Sequence, residues 1–209
     1  MNAATISPSM NTLPRRAVDA RIGMMIFLAS WGMVFLTLFF SFSIYRFQAP
    51  VWPPVDGPGL GTGAFVAAVV NTSLVLISGM LLFLASRSIG KATQPRIVTY
   101  VGGTILLGIA FLGIQINTWI DLWESGVRLQ SGIYPALFYA LTIFHALHVF
   151  AGIVTFLFVL PSVRALSSVA ALASNRDAVT DQTRFAMAAM FWHFVAVAWF
   201  ATFFIVYII

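Results

Sequence analysis

The chain has 209 residues, of which 60% are hydrophobic and 8% charged, with 11 Lys and Arg, 6 Asp and Glu, three His and no Cys. An average soluble domain is about 25% charged, so a water-soluble fold of this length would lack the charges to coat its core, and the mean hydropathy of +0.96 points to an integral membrane protein. The missing cysteines exclude disulfides, iron–sulfur clusters and thiolate metal sites, and the scattered basic residues form no stripe, so the pI near 10.2 is no sign of nucleic-acid binding.

Residues 1–20 are mostly polar or small and carry Ser7-Pro8 and Leu13-Pro14. They read as a flexible cytoplasmic tail ahead of a membrane domain at 21–209. A spanning helix needs about 20 mostly apolar residues, and five stretches qualify, at 22–45, 63–86, 97–120, 134–160 and 185–208. The first is long enough to span and no cleavage pattern follows it, so it reads as a helix and not a signal peptide. None holds Lys, Arg, Asp or Glu in its interior, and the runs are too continuous for a membrane barrel. The expectation is an all-α integral membrane protein, a bundle of five transmembrane helices. The segment at 48–63 is dense in Pro and Gly and puts Trp52 at an interface, and the 161–183 loop has room for part of a helix.

Basic residues alternate with these spans. Arg15, Arg16, Arg21, Arg87, Lys91, Arg96, Arg164, Arg176 and Arg184 share one side. The other side has Arg46 and Arg128 with Asp56, Asp121 and Glu124. The positive-inside rule then sets the N-terminus in the cytoplasm and the C-terminus on the periplasmic side.

The polar residues within the spans carry two readings each. His145 and His148 lie on neighbouring faces of the fourth helix, and His193 lies on the fifth. His148 and His193 differ in depth by about one turn, so a haem held by both is one reading, which would make the chain a b-type cytochrome. The other is hydrogen bonding between helices, each contact contributing about 0.6–2 kcal/mol. No span contains a Glu, which a carboxylate di-metal bundle site requires. Asn71, Thr72, Ser73, Gln115, Asn117 and Thr118 are either a solute path, as in a small transporter, or further interhelical partners. Gly102, Gly103, Gly108, Gly113, Ala146, Ala151 and Gly152 are small enough for close helix packing.

Four stretches in order resemble subunit III of the haem–copper oxidases. These are NTSLVLISG in the second helix, GIAFLGIQINTW in the third, SGIYPALFYALTIFHALHVFAG leading through the fourth, and FWHFVAVAWFATFFIVYI in the fifth. RIGMMIFLAS resembles the start of the family's matching first helix, so the likeness runs over residues 21–208. It implies the short, five-helix bacterial form, in the bacterial inner membrane, packed beside catalytic subunit I and the other subunits of a cytochrome c or quinol oxidase. It implies that haem and copper sit in the partner subunits and none in this chain. It further implies that phospholipid binds among the helices, and that the chain stabilises the catalytic subunit and supports its proton uptake. The histidines would then be structural, with His145, His148 and His193 bonding between helices and Asn71, Gln115 and Thr118 as partners. Arg184 and Trp192 would hold a lipid phosphate near the inner interface.

The chain departs from the family pattern at three acids. Trp31 follows Ser30 where Glu is usual, Thr118 stands three after Gln115 where Glu is usual, and Ala196 replaces an Asp after Trp-His-Phe-Val. An accessory protein of a nitric oxide reductase, from the same superfamily, is the rival reading.

Overall fold

The structure, a computed structural model, describes residues 12–50, 61–89, 95–166 and 175–208. Five long helices account for nearly all of it: α1 Thr12–Gln48, α2 Thr62–Ser88, α3 Pro95–Glu124, α4 Ile133–Leu166 and α5 Asn175–Phe203. A short 3-10 turn, Leu129–Ser131, precedes α4, and the chain closes in a π turn, Phe204–Ile208. All five helices are long and apolar enough to cross a membrane, and among the described residues there is no strand.

The helices overrun the apolar stretches that announce them. α1 begins at Thr12, inside the stretch expected as a tail, and α4 continues through Pro161 to Leu166. Hydropathy registers only the part that lipid covers, whereas a backbone stays helical until its hydrogen-bond ladder is broken. Pro161 removes one N–H but does not end α4. Pro95 opens α3, a position where the missing N–H costs nothing. Trp52, Asp56, Lys91 and the stretch 167–174 lie outside the described residues.

α2 and α3 make the most extensive helix pair. The buried residues of α2 are Ala64, Ala68, Asn71, Val75, Ser78, Leu82 and Ala85, a strict alternation of four and three. α3 answers with Ile97, Val101, Thr104, Gly108, Phe111, Gln115, Thr118 and Leu122 in the same alternation. Such a repeat keeps one narrow seam facing a partner helix. α3 also packs on α4, α4 on α5, and α5 on α2, which closes a four-helix ring. α1 lies outside it, against α4 and α5. Its only buried residues among those described are Phe35, Phe39 and Phe42, one stripe at helical spacing.

One helix end is capped with particular completeness. The Gly126 N–H donates to the Trp123 carbonyl at 3.2 Å and the Val127 N–H to the Leu122 carbonyl at 2.9 Å. This is the Schellman arrangement, and it needs the left-handed φ of +87° that Gly126 supplies. Leu122 and Val127 are both buried beside it. The Tyr139 hydroxyl on α4 donates to the Val127 carbonyl at 2.9 Å, which fastens the α3–α4 turn onto the next helix.

Candidate functional site

Buried polar side chains form a layered network along the α2–α3 seam and the helices facing it. Asn71 Nδ2 donates to Gln115 Oε1 at 3.3 Å, joining α2 to α3, and both residues are buried. Lower on the same seam, the Thr104 hydroxyl lies 3.0 Å from the Tyr100 carbonyl of its own helix and 3.3 Å from the Ser78 carbonyl of α2.

Three tryptophans supply cross-helix bonds that the sequence reading missed. Trp192 Nε1 on α5 donates to Ser78 Oγ on α2 at 3.1 Å. Trp199 Nε1, also on α5, donates to Thr72 Oγ1 on α2 at 3.0 Å. Trp119 Nε1 on α3 donates to Thr142 Oγ1 on α4 at 3.1 Å. Each hydroxyl gives its own proton to a carbonyl of its own helix: Ser78 to Val75, Thr72 to Ala68, and Thr142 to Phe138. That back-bond turns an oxygen lone pair outward, towards a neighbour that can only donate. The same device thus recurs at three places in the core.

Trp192 is also the steric centre of the bundle. A Cβ placed on Gly152 of α4 would lie 2.8 Å from its ring, and one on Gly108 of α3 would lie 2.7 Å from it. These two glycines therefore make room for an indole. Gly102 and Gly113 face open space, while a Cβ on Gly103 would meet Leu81 at 2.9 Å. With its N–H on Ser78, Trp192 ties α5 to the three other helices of the ring.

This placement corrects the expectation that Trp192 serves a lipid phosphate at the interface. It is 4% exposed, its only N–H is committed to Ser78, and it sits eight residues, about 12 Å, along α5 from Arg184. Arg184 itself is exposed, with Nη1 3.7 Å from the Asp181 carboxylate and 3.5 Å from Ser162 Oγ.

The histidines also differ from the expected bonding between helices. His145 is fully buried on α4, and neither ring nitrogen has a hydrogen-bond partner among the described residues. Its ring is held by aromatic contacts, with Trp199 at 5.1 Å and Phe111 at 5.6 Å between centroids. His148 Nδ1 lies 2.6 Å from the Phe144 carbonyl of its own helix, so Nδ1 is the protonated nitrogen. Trp31 of α1 packs edge-on against the His148 ring at 4.6 Å, and Phe35 lies at 5.2 Å. His193 is exposed and lines a groove between α2 and α5. His145 and His148 thus join helices through ring packing, and His193 does not.

The two histidines proposed for a shared haem do not converge. His148 faces α1 and Phe191. His193 comes two residues after Phe191, about 200° around the helix, on the side of α2. Among the described residues no three of His, Cys, Asp and Glu come together as a metal-ligand group.

Thr118 does not bond across the seam either, since its hydroxyl donates to the Ile114 carbonyl at 2.9 Å on its own helix. With Asn117 and Asp121 it lines a cleft of about 470 Å³ between α2 and α3, floored by Gly63, Ala64 and Ala67. Gln115, one turn deeper, is closed off by its bond to Asn71. At the other two departures from the acidic pattern, Trp31 packs on the His148 ring and Ala196 is partly buried against the α2–α5 core.

The comparisons with known proteins agree with this architecture. The family model for cytochrome c oxidase subunit III matches residues 9–209. The chain is 30% identical over 187 residues to cytochrome c oxidase subunit 3 of Synechocystis, covering 90% of this chain and 74% of that one. It is 31% identical over 204 residues to probable cytochrome c oxidase subunit 3 of Rickettsia bellii, covering 90% and 68%. It is also similar to cytochrome c oxidase subunit 3 of Danio rerio, at 30% over 58% of this chain and 47% of that one. A match across nearly the whole length, carried by five membrane-spanning helices, means that this chain belongs to the cytochrome c oxidase subunit III family.

Proposed function

We propose that the chain is a non-catalytic subunit of a bacterial haem–copper terminal oxidase, packed against catalytic subunit I in the inner membrane. The family match over residues 9–209 carries this reading. Haem and copper belong to the partner subunits, which reduce oxygen with electrons from cytochrome c or quinol. The basic residues gathered at one end of successive spans support an N-terminus in the cytoplasm and a C-terminus in the periplasm. The 21–209 segment acts as one membrane domain whose core is braced by indole–hydroxyl bonds.

Its contribution is mechanical and environmental: it steadies subunit I, shields it from the bilayer, and holds phospholipid. Arg184 suits a lipid phosphate, because it is exposed in the N-terminal part of α5, with Asp181 as its only ion-paired carboxylate among the described residues. Support of proton uptake is indirect. With Trp31, Thr118 and Ala196 at the usual acidic positions, this chain helps by fixing the geometry of its neighbour and not by carrying the proton. Those same positions favour a second reading, an accessory protein of a nitric oxide reductase.

The test is extraction in mild detergent with a tag on this chain. The expected result is copurification with a haem-bearing complex that consumes oxygen. Consumption of nitric oxide instead would favour the second reading, and a chain that purifies without haem-bearing partners would contradict both. Exchange of Arg184 for Ala should lower the copurifying phospholipid, and an unchanged lipid content would remove Arg184 from the proposal.

A further inference from the structure

The exposed hydroxyls within the spans are satisfied by their own helices. Ser30 donates to Ile26, Thr37 to Met33, Ser73 to Val69 and Thr155 to Ala151, all to carbonyls four residues back. Lipid can cover such groups without leaving a donor bare. His193 differs. Its ring is exposed and makes no hydrogen bond among the described residues, whereas His148 uses the carbonyl four residues back. It stands midway along the apolar segment Ala178–Ile208, which puts it in the hydrocarbon layer, far from either interface.

Acyl chains offer an imidazole nothing to bond, so a bare ring at this depth is costly, and ionisable side chains in spans ordinarily face protein. The surface around it is a broad, shallow, apolar depression. A groove of about 630 Å³ runs between α2 and α5, with Gly79 opening its floor and Met80, Phe83 and Phe200 among its walls. Gly79 has no neighbour within 4 Å of the place a Cβ would take. A trough of this kind, with one polar group at mid-depth, accepts the ridge of a helix that carries a matching polar residue. α1 is the contrast, since its exposed side bears large apolar residues and back-bonded hydroxyls.

We propose that the α2–α5 groove is the docking face for a transmembrane helix of the catalytic oxidase subunit, which presents a hydroxyl, amide or carboxyl side chain to His193 at mid-membrane depth. This rests on the oxidase-subunit reading and names the face it uses. The hydrogen bond orients the partner helix, and the apolar walls supply the remaining contact.

The test uses the intact complex purified in mild detergent. Photoreactive benzoylphenylalanine is introduced at Val197, which is 66% exposed in the groove, and in a second variant at Phe158, which is 81% exposed on α4. On irradiation, Val197 should yield an adduct with one haem-bearing subunit and Phe158 should yield adducts with lipid. In parallel, His193→Leu should lower retention of this chain in the complex by about three- to thirtyfold, the equivalent of one lost membrane hydrogen bond. His193→Gln, which can still bond, should retain most of it. Circular dichroism of both variants checks that helix content is unchanged, as expected for a surface position. Adducts of Val197 with lipid only, or with a second copy of this chain, would overturn the proposal. So would full retention of His193→Leu. If the unaltered chain copurifies with no haem-bearing subunit, the oxidase reading itself fails, and that outcome is visible before any variant is made.

Discussion

Gly152→Ala adds one methyl at the most crowded place in the bundle. The new Cβ would sit 2.8 Å from Trp192 Cε3, 3.0 Å from its Cζ3 and 3.4 Å from Phe191 Cε1. The indole cannot move far in response. The adjacent ring carbon, Cη2, already abuts the bare backbone of Gly108, and its N–H is bonded to Ser78 at 3.1 Å. Overpacking of this kind costs about 1–3 kcal/mol, and pulling the N–H off Ser78 costs about 0.6–2 kcal/mol more. A helix-interior Gly→Ala exchange returns about 1 kcal/mol of backbone propensity. The net expectation is a loss of roughly 1–4 kcal/mol. It is read from unfolding of the purified chain in mixed micelles with increasing dodecyl sulfate, followed by circular dichroism. Trp192→Phe is the companion variant. It gives up the indole N–H and part of the ring volume while Ser78 keeps its bond to the Val75 carbonyl, so its own cost is about 0.6–2 kcal/mol for one membrane hydrogen bond plus about 1 kcal/mol for the void. Because the smaller ring also relieves the clash, the double variant should be more stable than the sum of the two losses predicts, by at least about 0.5 kcal/mol. A Gly152→Ala protein as stable as the original, or strict additivity in the cycle, would refute the idea that α5 is anchored through this indole.

Further expectations follow from the same contacts. Asn71→Leu leaves the buried Gln115 amide without its partner and should cost about 1–3 kcal/mol, while Asn71→Leu with Gln115→Leu should recover much of that in the same unfolding assay. Tyr139→Phe removes the bond to the Val127 carbonyl, and amide exchange in the 125–132 turn should accelerate several-fold, consistent with about 1 kcal/mol. Ala196→Asp restores a carboxylate to the fifth span and should lower the membrane-integrated fraction, since an acid at mid-helix costs about 2.5–3.5 kcal/mol on insertion scales.

The five spans were legible because lipid imposes a rule that composition alone can express: about 20 residues without charge. Helix ends were less legible, since α1 and α4 continue through Thr12 and Pro161 into stretches that hydropathy counts as loop. The α2–α3 seam was present in the sequence as an alternation of four and three, but its small and polar members, Ala64, Asn71 and Ser78, hide it from a search for large apolar residues. The indole–hydroxyl pairs were beyond reach for another reason. Trp192 and Ser78 are 114 residues apart and Trp199 and Thr72 are 127 apart, so their meeting depends on which helices are neighbours and at what depth. The histidines were noticed because they are rare, yet rarity said nothing of orientation. His148 turns to its own backbone, His145 sits among aromatic rings, and His193 faces outward.

The most direct test of the account follows where the pigment goes. The complex is purified, this chain is stripped from it with a harsher detergent, and haem and copper are assayed in both fractions. All haem and copper should stay with the remaining subunits, the released chain should have no visible absorption, and the depleted complex should be less stable during turnover. Stoichiometric haem or metal travelling with the released chain would contradict this.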